Sequence, residues 1–352
     1  MNSKEKNLFL ALCDFSEPDG EEIAHSIRGG AATPEVLGVL FSNRMAGIAY
    51  ETARDTQTIG LLDREFRNSL KLAHTYNTKY NADYSECVKF LKTVLSRCTV
   101  PYLFLKGAYL YDRYPVGCRT SNDIDLLALP GDISQISEVL KDNGFEQGYI
   151  KNGYFVPASR AQIIESKVMR GETVPFIKKV DLPYIKYLEV DLNFSLDYKN
   201  GGEDKVDNLL QKRQQRGTNN IYLPDEYDFI LYLCAHLYKE ATVYPWVQMK
   251  RDMTFYKFSD IKLLLESLSN DDTFYLIQRA DELGLLGELA YALAHIRKFY
   301  TNFVPRFDLK IGNELHTVIY PEKKKRFIYT EHDLIERFFS SNRASLLKEV
   351  IS

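Results

Sequence analysis

Two aspartates, Asp123 and Asp125, stand one residue apart in the segment LKGAYLYDRYPVGCRTSNDIDLLAL (105–129), inside an apolar run that reads as a buried strand. Aspartate is depleted in strands, and like charges on one face repel, so the pair needs something to compensate it. Strand side chains alternate, which sets Asp123 and Asp125 on one face and Ile124 and Leu126 on the other. Paired carboxylates on a rigid element suit a hard cation. Mg²⁺ takes oxygen ligands and is held by one or two carboxylates together with substrate phosphates; Mn²⁺ accepts the same donors. A third carboxylate would complete a two-ion arrangement, one ion activating an attacking oxygen and the other stabilising a leaving phosphate. KYLEVDLNFSL (186–196) offers Asp191: Val190, Leu192 and Phe194 share one face, and Glu189, Asp191 and Asn193 the opposite one. Asp181 competes for the role, but it lies just before Pro183, where the strand should end, so Asp191 is favoured.

Upstream, Lys106-Gly107 falls at the exit of one strand and the start of a helix. Glycine there would let a phosphate approach the backbone, the helix start would offer free N–H donors, and Lys106 would add a point charge. Arg119, Thr120 and Ser121 precede the acidic strand and are placed to reach the same polyphosphate. Farther on, His236 in LYLCAHLYKEA (231–241) lies on a predicted helix with Lys239 three residues later on the same face. The bland reading of His236 is a hydrogen-bonded core histidine; the functional one is a contact to nucleotide or acceptor.

The elements that must position these residues follow from pattern. Residues 1–98 read as a helical region: TPEVLGVLFSNRMAGIAYETA opens with a Thr-Pro-Glu helix-start signal and keeps helical spacing, as does FRNSLKLAHTYNTKYNADYSECVKFLKTVLSRC. Residues 99–222 read as an α+β core. VPYLFLK is a strand, Ala108–Tyr114 a helix ended by Pro115, DIDLLAL a second strand, and DISQISEVLKDNGF an amphipathic helix closed by Gly144. GYFVP, TVPFIKKVDL and YIKYLEVDLNFSL then alternate as strands do. Residues 223–352 return to helical spacing through DDTFYLIQRADELGLLGELAYALAHIRKFY to the closing EHDLIERFFSSNRASLLKEVI, and PEKKKR (321–326) reads as a solvated turn or helix end.

Composition narrows the class. A chain of 352 residues with 45% hydrophobic residues and a net charge of −3 is ordinary globular material, not an extended nucleic-acid binder. Five scattered cysteines with no CxxC pair make neither a disulfide framework nor a zinc site. No apolar run reaches the roughly 20 residues of a membrane span, and the N-terminal run is too short for a signal peptide, so a cytoplasmic location is expected.

These motifs together resemble the DNA polymerase β-like nucleotidyltransferase superfamily, and more narrowly a poorly characterised bacterial nucleotidyltransferase group. The matching elements are Leu105-Lys106-Gly107, Arg119, Asp123-Ile124-Asp125-Leu126-Leu127, Val190-Asp191-Leu192-Asn193 and Leu233-Cys234-Ala235-His236, over about residues 70–265. Ala108 stands where the superfamily usually has Ser or Gly, and Asn193 where many relatives have His. The resemblance implies a small mixed-sheet core flanked by helical regions and Mg²⁺-dependent (or Mn²⁺-dependent) transfer of a nucleoside monophosphate from an NTP. The acceptor would be a hydroxyl of a protein, an RNA end such as tRNA, or a small molecule, and pyrophosphate would leave. Asp123, Asp125 and Asp191 would hold metal and carry catalysis. Lys106, Gly107, Arg119, Ser121, His236 and Lys239 would contact nucleotide. The alternative is a catalytically inactive nucleotide-binding or interaction protein on the same scaffold.

Overall fold

The computed structural model describes residues 1–169, 171–196 and 203–350. The fold is α+β, and its contacts divide the chain into two compact units, Tyr76–Phe229 and Met1–Thr75 with Ile230–Ser352. The boundaries fall inside two long helices, Arg64–Leu95 and Glu226–Thr242. The N-terminal helices therefore share a unit with the C-terminal ones, and residues 76–98, read with the N-terminal region, lie in the sheet-containing unit.

The sheet-containing unit is built on six strands: β1 Leu103–Phe104, β2 Ile124–Leu127, β3 Glu146–Lys151, β4 Tyr154–Pro157, β5 Phe176–Lys179 and β6 Tyr187–Asn193. Their order is β1-β2-β6-β5-β3-β4. Only β2 and β6 run parallel; the other neighbours are antiparallel, so the sheet is mixed. β6 alternates half-buried and buried residues along its length, whereas β2 is buried throughout. The Ile133–Asp142 helix follows β2 and ends at Asn143-Gly144, where Gly144 takes φ 81°. The expected helix from Ala108 spans only Gly107–Leu110, since the chain turns through Pro115 and Gly117 (φ 85°). β3 is absent from the sequence reading. Its signal was the Asn152-Gly153 pair, whose positive φ values (53° and 79°) close the β3–β4 hairpin.

The other unit closes on aromatic packing. Phe255 makes ring contacts with Phe9 (5.1 Å), Phe299 (5.3 Å), Tyr300 (5.4 Å) and Phe338 (5.5 Å), so the first helix, Ser3–Cys13, packs with elements from the far end of the chain. Thr33 caps the Pro34–Ser42 helix, accepting from Val36 N–H, and a second helix, Ala46–Asp55, follows after Arg44 at φ 58°. The long C-terminal helical segment is two helices, Asn270–Glu282 and Leu286–Phe299, separated by Gly284 at φ 62°. The last segment corrects the sequence reading. Leu334–Phe339 is α-helical and Arg343–Leu346 a short 3-10 helix, while Leu347–Glu349 pairs as an edge strand with Lys325–Tyr329, which pairs in turn with Thr317–Tyr320. The basic run 321–326 covers the turn of that hairpin, Pro321–Lys323 with Lys324, and the exposed start of its second strand. Arg343 fastens this end to buried Asp252 through two contacts, 2.6 and 2.7 Å. All five cysteines are free thiols, and among the described residues no helix is long and apolar enough to cross a membrane.

Because Phe255 is fully buried at the centre of this aromatic group, Phe255→Ala is expected to destabilise the protein by about 3–5 kcal/mol, measured by denaturant titration. A loss below ~1 kcal/mol would show that the group does not hold the two chain ends together.

Candidate active site

The parallel register of β2 and β6 pairs Ile124 with Val190 and Asp125 with Asp191. Apolar Ile124, Leu126, Val190 and Leu192 go into the core at 0% exposure. Alternation then leaves Asp123, Asp125, Glu189, Asp191 and Asn193 on the opposite face, so two runs distant in sequence deliver their acids to one place. Glu172, bridged to Asn193, adds its charge to Asp191.

Asp125 is 2% exposed. Its Oδ1 accepts from Lys106 Nζ at 2.6 Å and from Asn193 Nδ2 at 3.4 Å, while Oδ2 is buried with no hydrogen-bond partner. Ser121 Oγ donates to Asp123 Oδ1 at 3.1 Å, and the buried Tyr84 hydroxyl donates to the Asp123 carbonyl at 2.9 Å. Burial dominates the electrostatics. It raises Asp125 to about 6; the Lys106 charge pulls the other way and Asp123 pushes it up again. Burial, followed by repulsion from Asp123 and Asp125, raises Glu189 to about 7 and holds Asp191 well above the usual carboxylate range. The ion pair with Lys106 therefore offsets only part of the cost of burying Asp125.

This donor set fits a hard divalent ion in kind: all oxygen, crowded, and with one buried oxygen, Asp125 Oδ2, lacking a partner. Among the described residues no three His, Cys, Asp or Glu side chains stand grouped around one point, and Lys106 rests on Asp125 instead.

The remaining predicted residues are distributed as follows. Gly107 is required by packing: a Cβ there would lie 2.2 Å from Ser121 Cβ and Oγ and 3.1 Å from the Tyr84 hydroxyl. Ser121 fills the space a side chain at 107 would need, and the Gly107–Leu110 helix has only four residues. Lys106 itself has φ 42°, ψ −116°, a conformation rare for a residue with a side chain. Arg119 is 4% exposed; it donates to the Thr120 carbonyl, and its own carbonyl accepts from Asn81 Nδ2 at 2.8 Å. Asp181 is exposed at φ 50° and pairs with Lys179 at 2.8 Å, away from the core of the strand. His236 and Lys239 belong to the other unit. There His236 Nε2 lies 3.4 Å from Glu240 Oε1 and its ring stacks on Tyr232, while Glu240 also takes the Lys257 ammonium; Lys239 is half-buried on the same helix. Tyr84 and Glu172 were not anticipated, and no local motif marks either one.

Two predictions follow from this geometry. Gly107→Ala must displace Ser121, and with it the hydroxyl holding Asp123, at a cost of about 1–3 kcal/mol by denaturant titration. Asp125 and Glu189 keep protons in the folded chain that the unfolded chain has already lost, so stability from these groups is present at acidic pH and lost as pH rises through about 6 to about 7. In EDTA the Tm should therefore fall by at least about 4 °C between pH 5 and pH 8, and Asp191→Asn should flatten that fall. A rising Tm over the same range would contradict the crowding.

The alignment of Asp125 with Asp191, set above Lys106 and Ser121, is now joined by an independent finding. The model for a family described as uncharacterised nucleotidyltransferase matches residues 31–301. That span takes in the whole mixed sheet and both strands that carry the acids. No curated protein matches the chain. With most of its length matched, the chain belongs to this uncharacterised nucleotidyltransferase family.

Proposed function

We propose that the acidic face of β2 and β6 transfers a nucleoside monophosphate from an NTP to an acceptor hydroxyl, with Asp123, Asp125 and Asp191 as the Mg²⁺-holding (or Mn²⁺-holding) and catalytic residues. The observation that carries this reading is the Asp125–Asp191 register, which brings the acids of two separate strands side by side on a rigid sheet. The acceptor oxygen bonds to the α-phosphorus, the bond to the β-phosphate bridging oxygen breaks, and pyrophosphate leaves. Divalent ions, when bound, neutralise the triphosphate and lower the acceptor's pKa.

The chain's own residues have separable tasks. Ser121 and Tyr84 hold Asp123 from both its side chain and its carbonyl, so its direction is set before substrate arrives. Asp191, the acid that β6 sets beside Asp125, is the group to take the acceptor's proton at a carboxylate oxygen. Lys106 has the charge and reach to meet the leaving phosphates, and Gly107 keeps the turn beneath it tight. Arg119 acts by ordering the segment that leads into β2, and Ser121 by holding Asp123. Positioning and charge neutralisation supply most of the acceleration in such chemistry.

The acceptor class is open among a protein hydroxyl, an RNA end and a small molecule. Incubating the full chain with each labelled NTP and Mg²⁺ in cell lysate identifies it by which species becomes labelled. The double substitution Asp123→Asn, Asp125→Asn should lower divalent-dependent pyrophosphate release at least about a hundredfold while the protein stays folded by circular dichroism. Unchanged turnover in that variant would sink the assignment, and nucleotide binding without turnover on any acceptor would favour an inactive nucleotide-binding scaffold.

A further inference from the structure

Asp125 sits where a divalent ion would be needed, and it already carries a cation. The Lys106 ammonium lies 2.6 Å from Asp125 Oδ1, with the carboxylate 3% exposed and the lysine side chain 21% exposed. The backbone on both sides of this lysine is fixed. Leu105 N–H donates to the Asp125 carbonyl at 2.9 Å, and Gly107 is pinned against Ser121. Lys106 between them takes φ 42°, ψ −116°, a conformation that persists only where its surroundings over-determine it. The part left adjustable is the four-carbon stem and its point charge. A compact ammonium and a divalent ion seated on one carboxylate repel each other, the more so where burial lowers the effective dielectric. The other oxygen of Asp125, Oδ2, is buried without a partner, so the carboxylate is only half engaged by Lys106 and Asn193.

We propose that Lys106 is the resident counter-cation of this site: it neutralises Asp125 while no divalent ion is bound, and it is displaced when one binds. The displaced ammonium is then available to the triphosphate that arrives with the ion. Metal loading and phosphate contact are thereby linked through a single side chain. The inference rests on the metal-site reading above and adds a sign to it: Lys106 opposes divalent binding in the nucleotide-free protein. Two other roles give different signs. A lysine that merely orients Asp125 would strengthen metal binding, and one that contacts only phosphate would leave nucleotide-free metal binding untouched.

The test is Mn²⁺ binding to the full chain without nucleotide, followed by calorimetry and by the electron paramagnetic resonance signal of free Mn²⁺, at constant pH and salt. Lys106→Met should bind Mn²⁺ at least about tenfold more tightly than the wild type. Lys106→Arg, which keeps the charge, should stay close to the wild type. A thermal melt checks that each variant is folded, and Lys106→Gln provides the same comparison should the Met variant not fold. Equal or weaker binding by the neutral variants, beside measurable binding by the wild type, overturns the counter-cation role and leaves the metal site standing. No Mn²⁺ binding by any of the proteins overturns both.

Discussion

Parallel pairing of β2 with β6 sets Asp125 directly beside Asp191, and the rest of the sheet-containing unit depends on the charge that this pairing concentrates. A one-residue slip would turn one set of acids into the apolar core. The apolar face is therefore as much a part of the site as the acidic one: fully buried Ile124, Leu126, Val190 and Leu192 pin the register. Once the register is set, crowding is unavoidable. Burial, joined by this crowding, shifts Asp125, Glu189 and Asp191 upward, and Lys106 and Asn193 sit on Asp125.

The segment between β1 and β2 meets that constraint with small residues at close quarters. Gly107, Ser121 and Asp123 form a contact chain in which the missing side chain of the first admits the second, whose hydroxyl holds the third. Tyr84, from the Arg64–Leu95 helix, closes the chain at the Asp123 carbonyl. The strained backbone of Lys106 lies at one end of this arrangement, and strain of this kind gathers at functional sites.

The helical unit buries charge in a different way. Lys262 is enclosed with Asp14 and Glu266, and Arg343 forks onto fully buried Asp252. His295 is fully buried among Tyr291, Phe258 and Phe299, and burial with the nearby Arg337 charge lowers its pKa to about 3, so it is a neutral packing residue at physiological pH. In each ion pair the opposite charges are matched within hydrogen-bonding distance, whereas the β2–β6 face sets like charges together. That contrast is what sets the β2–β6 face apart from the charges buried in the helical unit.

Local pattern carried much of this protein's organisation. The Asp-Ile-Asp run, the alternation of 186–196, the Thr-Pro-Glu helix start and the α+β class were all legible, because each depends on neighbours within a few residues. The hairpin of β3 and β4 was announced by Asn152-Gly153, and the break at Gly284 by its glycine, but helical and strand spacings overlap in short apolar runs and both were passed over. The C-terminal strand Leu347–Glu349 was not readable as one, since its partner strand and the Arg343–Asp252 anchor lie elsewhere in the chain. Gly107 shows the limit most clearly. Its sequence position suggested close approach of a phosphate, and only the fold showed that a side chain there would run into Ser121. Residue type and spacing thus determined which face each strand would turn inward and that the acids would lie on the other. The tertiary structure alone decided that Asp191 stands opposite Asp125 and that Lys106 rests on Asp125, because pairing across distant strands depends on register and closure that no local pattern encodes.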